Sequence, residues 1–457
     1  MSLAEVKRLI DFGDFKGALD GITKLEGKEK LYGLIEKIGI LLYVGKIDES
    51  IQLSFDVATE AKKTNDIVLE LAAKSFRSFD YIWKNDFQNS LQLIEESENI
   101  FPTLNSTQKE ASIRFFGVFE FTKGIYLQRT GLFKQSLATY YHVLDKWEKS
   151  KWVFGINVVW GYISTLLLNQ GELSLAEEFL NKRLEFAISV DNKSFLARVH
   201  MQLGDFYKLK FNYTKAIDSY EQSIQLYEKL KETRRIPEAI YNLILLFVER
   251  KDTNSANVYL EKLNVISTSN SNSIVKSRFK IAKAMILKSS KELTQRKEAF
   301  DILNEIVGGE VFDAELSIFS ILNLCDLILD LGSMEEQTWV SQILEFSKKL
   351  QDIGKSEKNK LISIESLVLQ SRLAITTSNF EKAFELLSQA EEFARIENFD
   401  ELLFKISTYK QELELTLKNL YADKKEKINI SQVALPDIVA YLEEVLKIYR
   451  MASSSPN

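Results

Sequence analysis

Side chains able to act as base, nucleophile or metal ligand near neutral pH are few: two histidines, His142 and His200, and one cysteine, Cys325. His142 follows Tyr140 and Tyr141 with no second histidine or cysteine at ligand spacing, so neither a structural nor a catalytic zinc site is expected. Cys325 lies in the apolar stretch 321–329, where a free thiol behaves as a small buried hydrophobe. There is no phosphate-cradling glycine-rich loop and no Gly-x-Ser-x-Gly elbow. Carboxylates are abundant, at 65 acidic residues, but no pair stands out by its surroundings. The chemistry expected is recognition: no catalysis, no metal and no cofactor.

The elements that would position recognition residues follow from composition and periodicity. The 457 residues are 45% hydrophobic and 27% charged, enough to bury a sizeable core. Only Pro102, Pro237, Pro436 and Pro456 interrupt the chain. Proline costs about 3 kcal/mol inside a helix, so its scarcity permits helix almost throughout. The 59 basic and 65 acidic residues are interspersed, with no cationic arm to track phosphates, which disfavours nucleic acid as a partner. Apolar runs such as 243–248 are far shorter than the roughly 20 residues that span a bilayer, so membrane insertion is not expected. The opening MSLAEVKRLI has no signal pattern, and a cytoplasmic location is expected.

Laying the chain on itself exposes a repeat. The clearest unit is 203–224, with Leu203, Gly204, Tyr207, Ala216 and Tyr220. At steps of 40 residues, Ser136, Ala176, Ala216 and Ala256 are all small. Tyr140, Leu180, Tyr220 and Leu260, and likewise Leu127, Leu167, Tyr207 and Phe247, are all large. A small residue is required where two helix backbones approach closely, and a large one where the space between helices must be filled. Each unit therefore reads as an antiparallel helix pair. Turns are expected at Thr130-Gly131, Gln170-Gly171, Asn212-Tyr213-Thr214 and Asp252-Thr253-Asn254, with helices of roughly 16 residues. His200 falls in a partly kept column with Trp160 and Ile240, which favours a role inside a hairpin. Weaker copies of the turn signature stand at 14–18, 45–50, 86–90, 296–299 and 379–383, and another hairpin turn is expected within 331–342.

The expected organisation is a repeat array over 1–420, best formed at about 117–276, then a Lys-rich polar linker over 421–433. An amphipathic helix over 434–451 and a disordered tail over 452–457 complete the chain. The helix carries Leu435, Ile438, Val439, Leu442, Val445, Leu446 and Ile448 on one face. That face would cap the array, fold back into its groove or mediate self-association.

The repeated residues resemble the tetratricopeptide repeat family, in a 40-residue form similar to that of uncharacterised multi-repeat archaeal proteins, Asgard archaea in particular. The resemblance implies an all-α fold: a right-handed superhelical solenoid of about ten antiparallel hairpins whose first helices line a concave groove. It further implies a protein or peptide partner in that groove. The family's carboxylate-gripping positions correspond to Met201, Asp205 and Asn242, of which only Asn242 has the expected type, so chaperone-tail binding is not implied. Projecting the first helices onto the groove nominates Phe121, Gln128 and Arg129, then Tyr162, Thr165 and Asn169. The next two units add Arg198, Gln202, Asp205 and Lys208, then Tyr241, Asn242, Glu249 and Arg250. Aromatic anchors beside amides and both charge signs suit an extended or helical peptide. The expected function is a non-catalytic scaffold or adaptor; the alternative is a peptide- or ligand-responsive regulator whose superhelix changes shape to capture or release a partner.

Overall fold

The computed structural model describes residues 1–230, 235–269, 272–309, 313–331, 338–377, 379–397 and 399–422. Among the described residues every regular element is helical. Ten antiparallel pairs follow one another: α1 (Leu3–Asp11) with α2 (Phe15–Ile22), α3 (Gly27–Val44) with α4 (Ile47–Lys63), α5 (Ile67–Trp83) with α6 (Phe87–Ile100), α7 (Ser106–Arg129) with α8 (Phe133–Lys149), and α9 (Val153–Gln170) with α10 (Leu173–Ser189). Next come α11 (Lys193–Leu209) with α12 (Tyr213–Leu230), α13 (Ile236–Glu249) with α14 (Thr253–Ser269), α15 (Ser273–Lys288) with α16 (Leu293–Gly308), α17 (Ala314–Leu331) with α18 (Thr338–Ser356), and α19 (Lys360–Thr376) with α20 (Phe380–Ile396). A single helix, α21 (Asp400–Ala422), ends the series, and a short 3₁₀ turn (Phe101–Thr103) precedes α7. The pairs stack in chain order into a superhelical solenoid.

Local chemistry explains the boundaries. Ser2 and Glu5 form a reciprocal cap on α1, and Asp14, Asp86 and Asn379 each accept a backbone N–H at the start of α2, α6 and α20. Gly45, Gly131 and Gly171 take the left-handed conformation between paired helices, as expected of residues without a Cβ. At the corresponding turns Phe211 and Lys251 adopt the same conformation despite their side chains, and Asn212 and Asp252 cap the helices that follow. Pro237 stands in the first turn of α13, where its missing N–H costs nothing.

The columns have a direct packing basis. Ser136, Ala176, Ala216 and Ala256 are fully buried, and Ser136 Oγ donates to the Gly124 carbonyl at 2.7 Å. Ser90, from a weaker copy, donates in the same way to the Ser78 carbonyl, and Ser50, fully buried at the equivalent place, lies 3.3 Å from the Ile38 carbonyl while donating to Asp80 Oδ2 at 2.7 Å, so the outer units obey the same close-approach rule. A Cβ on Gly124 would stand 2.4 Å from the Tyr140 ring, and one on Gly204 would stand 2.4 Å from the Tyr220 ring. Small and large residues thus interlock across each hairpin. Cys325 is buried in α17 and its thiol is pushed up to about 12 by that burial. The turn expected within 331–342 falls between α17 and α18, over residues outside those described. The linker beyond Ala422, the helix over 434–451 and the tail over 452–457 also lie outside the described residues.

Candidate functional site

The first helices of successive pairs present their inner residues at helical spacing. Phe121, Ile125 and Gln128 do so on α7, Tyr162, Thr165 and Asn169 on α9, and Arg198, Met201, Gln202 and Asp205 on α11. Such a face would be open if the superhelix had a wide pitch. Here its successive turns touch.

A seam of polar bonds joins residues far apart in the chain. Tyr43 and Ser194 hydroxyls are 2.7 Å apart, and Asn85 Nδ2 donates to Ser273 Oγ at 2.6 Å. Asn272 Nδ2 donates to the Trp83 carbonyl, and Gln128 Nε2 donates to Glu315 Oε1 at 2.9 Å. Lys360 pairs with Glu172 at 3.0 Å, and the backbone N–H of Phe154 donates to Asp11. Aromatic contacts supplement them: the Phe211 and Phe404 rings lie 5.3 Å apart, and Phe399 packs on the Gly171 turn. Through these contacts α7 meets α17, α9 meets α1 and α19, and α11 meets α21.

Closure converts the inner face into adjoining cavities. An apolar one of about 60 Å³ is walled by aromatic residues including Phe79, Phe121, Trp152 and Phe154. A polar one of about 120 Å³ shares Tyr162, Arg198 and Arg235 with the first. A third, of about 330 Å³, shares Glu315 with the second and runs toward α19 and α21.

Nine of the fourteen nominated residues divide among these spaces, and Asp205, Tyr241, Asn242, Glu249 and Arg250 line none of them. Phe121 borders the apolar cavity, with the Tyr162 ring edge-on at 4.8 Å. Gln128, Arg129, Tyr162, Thr165, Arg198 and Gln202 line the polar cavity together. Asn169 and Lys208 reach the third. Asp205 is held by the Tyr220 hydroxyl at 2.7 Å and Asn242 Nδ2 at 2.8 Å, and Lys208 pairs with Glu249 at 2.7 Å. Tyr241 is buried in α13, and burial raises its phenol pKa. Arg250 is exposed just beyond α13. Neither Tyr241 nor Arg250 lines the three cavities.

Other residues complete the polar cavity and escaped the sequence reading: Trp83, Arg235, Glu238, Arg278, Asp313 and Glu315. They lie in α5, beside or within α13 and α15, and at the start of α17: Trp83, Arg235, Glu238 and Arg278 belong to units stacked in series with the nominated ones, whereas Asp313 and Glu315 reach them through superhelical closure. Repeat register ranks residues within a unit and carries no signal for contacts between turns. Arg114 and Glu36, which border the apolar cavity, form a bidentate pair at 2.7 and 2.8 Å, with Arg114 also 4.2 Å above the Trp152 ring.

The electrostatics of the polar cavity are uneven. Arg129 donates to the Ile82 carbonyl and to Asn85 Oδ1, and its burial lowers its pKa. Arg183, fully buried behind Gly161, donates through Nη1 to Gln202. Its Nε and Nη2 have no hydrogen-bond partner among the described residues. Burial and then the neighbouring Arg198 guanidinium push Arg183 down to about 9. Burial pushes Glu315 and Asp205 each up to about 7. Both remain half-buried by surface area; Glu315 borders the polar cavity, whereas Asp205 lines none of the three.

No family model matches the chain, and no curated protein matches it. Among solved structures it is similar to the apo form of RapI, with 14% identity, a TM-score of 0.42, and coverage of 79% of this chain and 98% of that one. It is similar to the apo form of the quorum sensor NprR from B. thuringiensis, with 14% identity, a TM-score of 0.49, and coverage of 80% and 99%. It is also similar to yeast Tom70, with 10% identity, a TM-score of 0.35, and coverage of 93% and 98%. All three likenesses are weak in both sequence and superposition.

Proposed function

We propose that this chain is a non-catalytic binding scaffold of the ligand-responsive kind, in which a peptide of a partner protein occupies the inner face and changes the pitch of the superhelix. The observation that carries this reading is the polar seam across the inner face, represented by Gln128 and Glu315. A two-turn helical peptide displaces on the order of 800 Å³, taking a helix as a cylinder about 10 Å across. The polar seam closes the face along which one would lie. Binding of such a peptide therefore requires the turns to part. A repeat array bends by small changes at many interfaces, and a ligand that prefers the open form shifts the population toward it. The side chains supporting the reading are the inner aromatic and polar residues, Tyr162, Thr165, Gln202 and Asn169 among them, beside the half-buried pair formed by Lys208 and Glu249.

The test selects binding peptides from a displayed random library on wild-type protein and on a Tyr162→Ala, Arg198→Ala variant of preserved helicity. Small-angle scattering then follows the wild type with each selected peptide. Peptides lost from the variant that also raise the radius of gyration support the proposal. Peptides retained equally by both proteins would move the site off the inner face, and an unchanged radius would favour a rigid adaptor.

A further inference from the structure

We infer that the junction between the apolar and polar cavities is a binding site for a small organic anion, a free carboxylate carrying a compact apolar group. This goes beyond the partner-binding reading and does not rest on it.

Arg198 is the central residue. It is 5% exposed, lines both cavities, and forms no hydrogen bond or ion pair with another described residue; its contact is the face of Tyr162, 5.9 Å away. Burying a guanidinium without a counter-charge is costly, and a protein that does so beside a cavity has a charge to satisfy. Its neighbours do not satisfy it. Glu238 is divided between Arg278 at 3.3 Å and Arg235 at 3.9 Å. Asp313 accepts the backbone N–H of Leu316 at the start of α17, and Glu315 accepts from Gln128. Arg129 donates from Nη1 to a carbonyl and an amide oxygen. Four guanidiniums, Arg129, Arg198, Arg235 and Arg278, thus line the cavity against three carboxylates, with Arg183 a fifth just behind Gly161.

The positions of Arg198 and Arg235 define the ligand's chemistry. Both line the polar and the apolar cavity, so an anionic head gripped by these two forks directs its remaining atoms toward Phe121 and Trp152. The apolar cavity, at about 60 Å³, is smaller than the roughly 150 Å³ cavity that accepts benzene elsewhere, so a short branched chain is the best match. Charge and shape together favour a branched short-chain carboxylate.

The experiment measures the thermal midpoint and titration heat of the full chain with isovalerate, with its uncharged amide, and with inorganic phosphate. Isovalerate should raise the midpoint saturably and the amide should not. Arg198→Met should weaken isovalerate binding by at least about tenfold, the loss expected for a charged hydrogen bond, and Arg198→Lys should bind with intermediate affinity. Should Arg198→Met fail to fold, Arg235→Met supplies the same comparison. Equal shifts with acid and amide would overturn the proposal, as would unchanged isovalerate binding in the folded arginine variants. Phosphate matching isovalerate would overturn the assignment to an apolar carboxylate.

Discussion

The Phe399 ring stands 2.0 Å from the point a Cβ on Gly171 would occupy, so the left-handed turn that ends α9 is also the seat of the residue preceding α21, one superhelical turn later. A position required to be glycine by its backbone is here required to be glycine a second time by a distant aromatic ring.

Gly171→Ala should therefore cost more than Gly27→Ala. Both place a Cβ on a left-handed residue, a penalty of about 1–2 kcal/mol. At Gly27 the added atom meets nothing within 4 Å, whereas at Gly171 it displaces a packed ring, adding about 1–3 kcal/mol. Urea denaturation of both variants makes the comparison, and equal losses would mean that Phe399 leaves the turn at no cost.

Within a hairpin, Gly204→Ala should destabilise by about 1–3 kcal/mol because its Cβ meets the buried Tyr220 ring at 2.4 Å. In a Tyr220→Leu background the same change should cost less, with a coupling of about 0.5–3 kcal/mol. Additive effects in the double-mutant cycle would contradict the interlocking of small and large columns.

Asp205 and Glu315 tie stability to pH. Their ordinary values are 3.8 and 4.5, and burial pushes both up to about 7. Between about pH 4 and 7 the folded protein retains protons that the unfolded chain has released, so stability from these groups declines as pH rises through that window. It is full below about pH 4 and flat above about pH 7. Asp205→Asn and Glu315→Gln should each flatten the decline, measured as unfolding free energy in urea from pH 5 to 8; a slope identical to wild type would rule the carboxylate out as its source.

Glu36 and Arg114 should behave as a buried pair. Glu36, 4% exposed, engages both guanidinium nitrogens. Glu36→Leu alone should cost about 3–5 kcal/mol by stranding Arg114, while Glu36→Leu combined with Arg114→Met should recover much of that loss. Calorimetric midpoints of the two single variants and the double variant decide it, and a double variant less stable than either single one would refute the pairing account.

Much of the architecture is legible in the chain because helix pairing is a local problem. The columns of Ser136, Ala176, Ala216 and Ala256 and of Tyr140, Leu180, Tyr220 and Leu260 mark where backbones approach and where bulk fills the gap, and all are buried as that logic requires except Leu260, which is half-buried. Turn residues such as Gly131, Gly171, Asn212 and Asp252 act within a few positions of themselves, so their roles are also written locally. The inner-face residues of a unit follow from the same register, which is why Gln128, Tyr162, Arg198 and Gln202 could be named together.

What one turn of the superhelix does to the next was not legible, since pitch accumulates from small rotations at every interface and no short motif encodes it. Tertiary structure alone brings Glu315 to Gln128, Ser273 to Asn85 and Phe399 to Gly171. The stacking of α13 and α15 after α11 sets Arg235 and Arg278 around the unpaired charge of Arg198. The sequence by itself determined the helix pairs and part of the inner face, Gln128, Tyr162, Arg198 and Gln202 among it; the stacking of those pairs determined the rest of its lining and its enclosure, because closure depends on the summed geometry of many contacts.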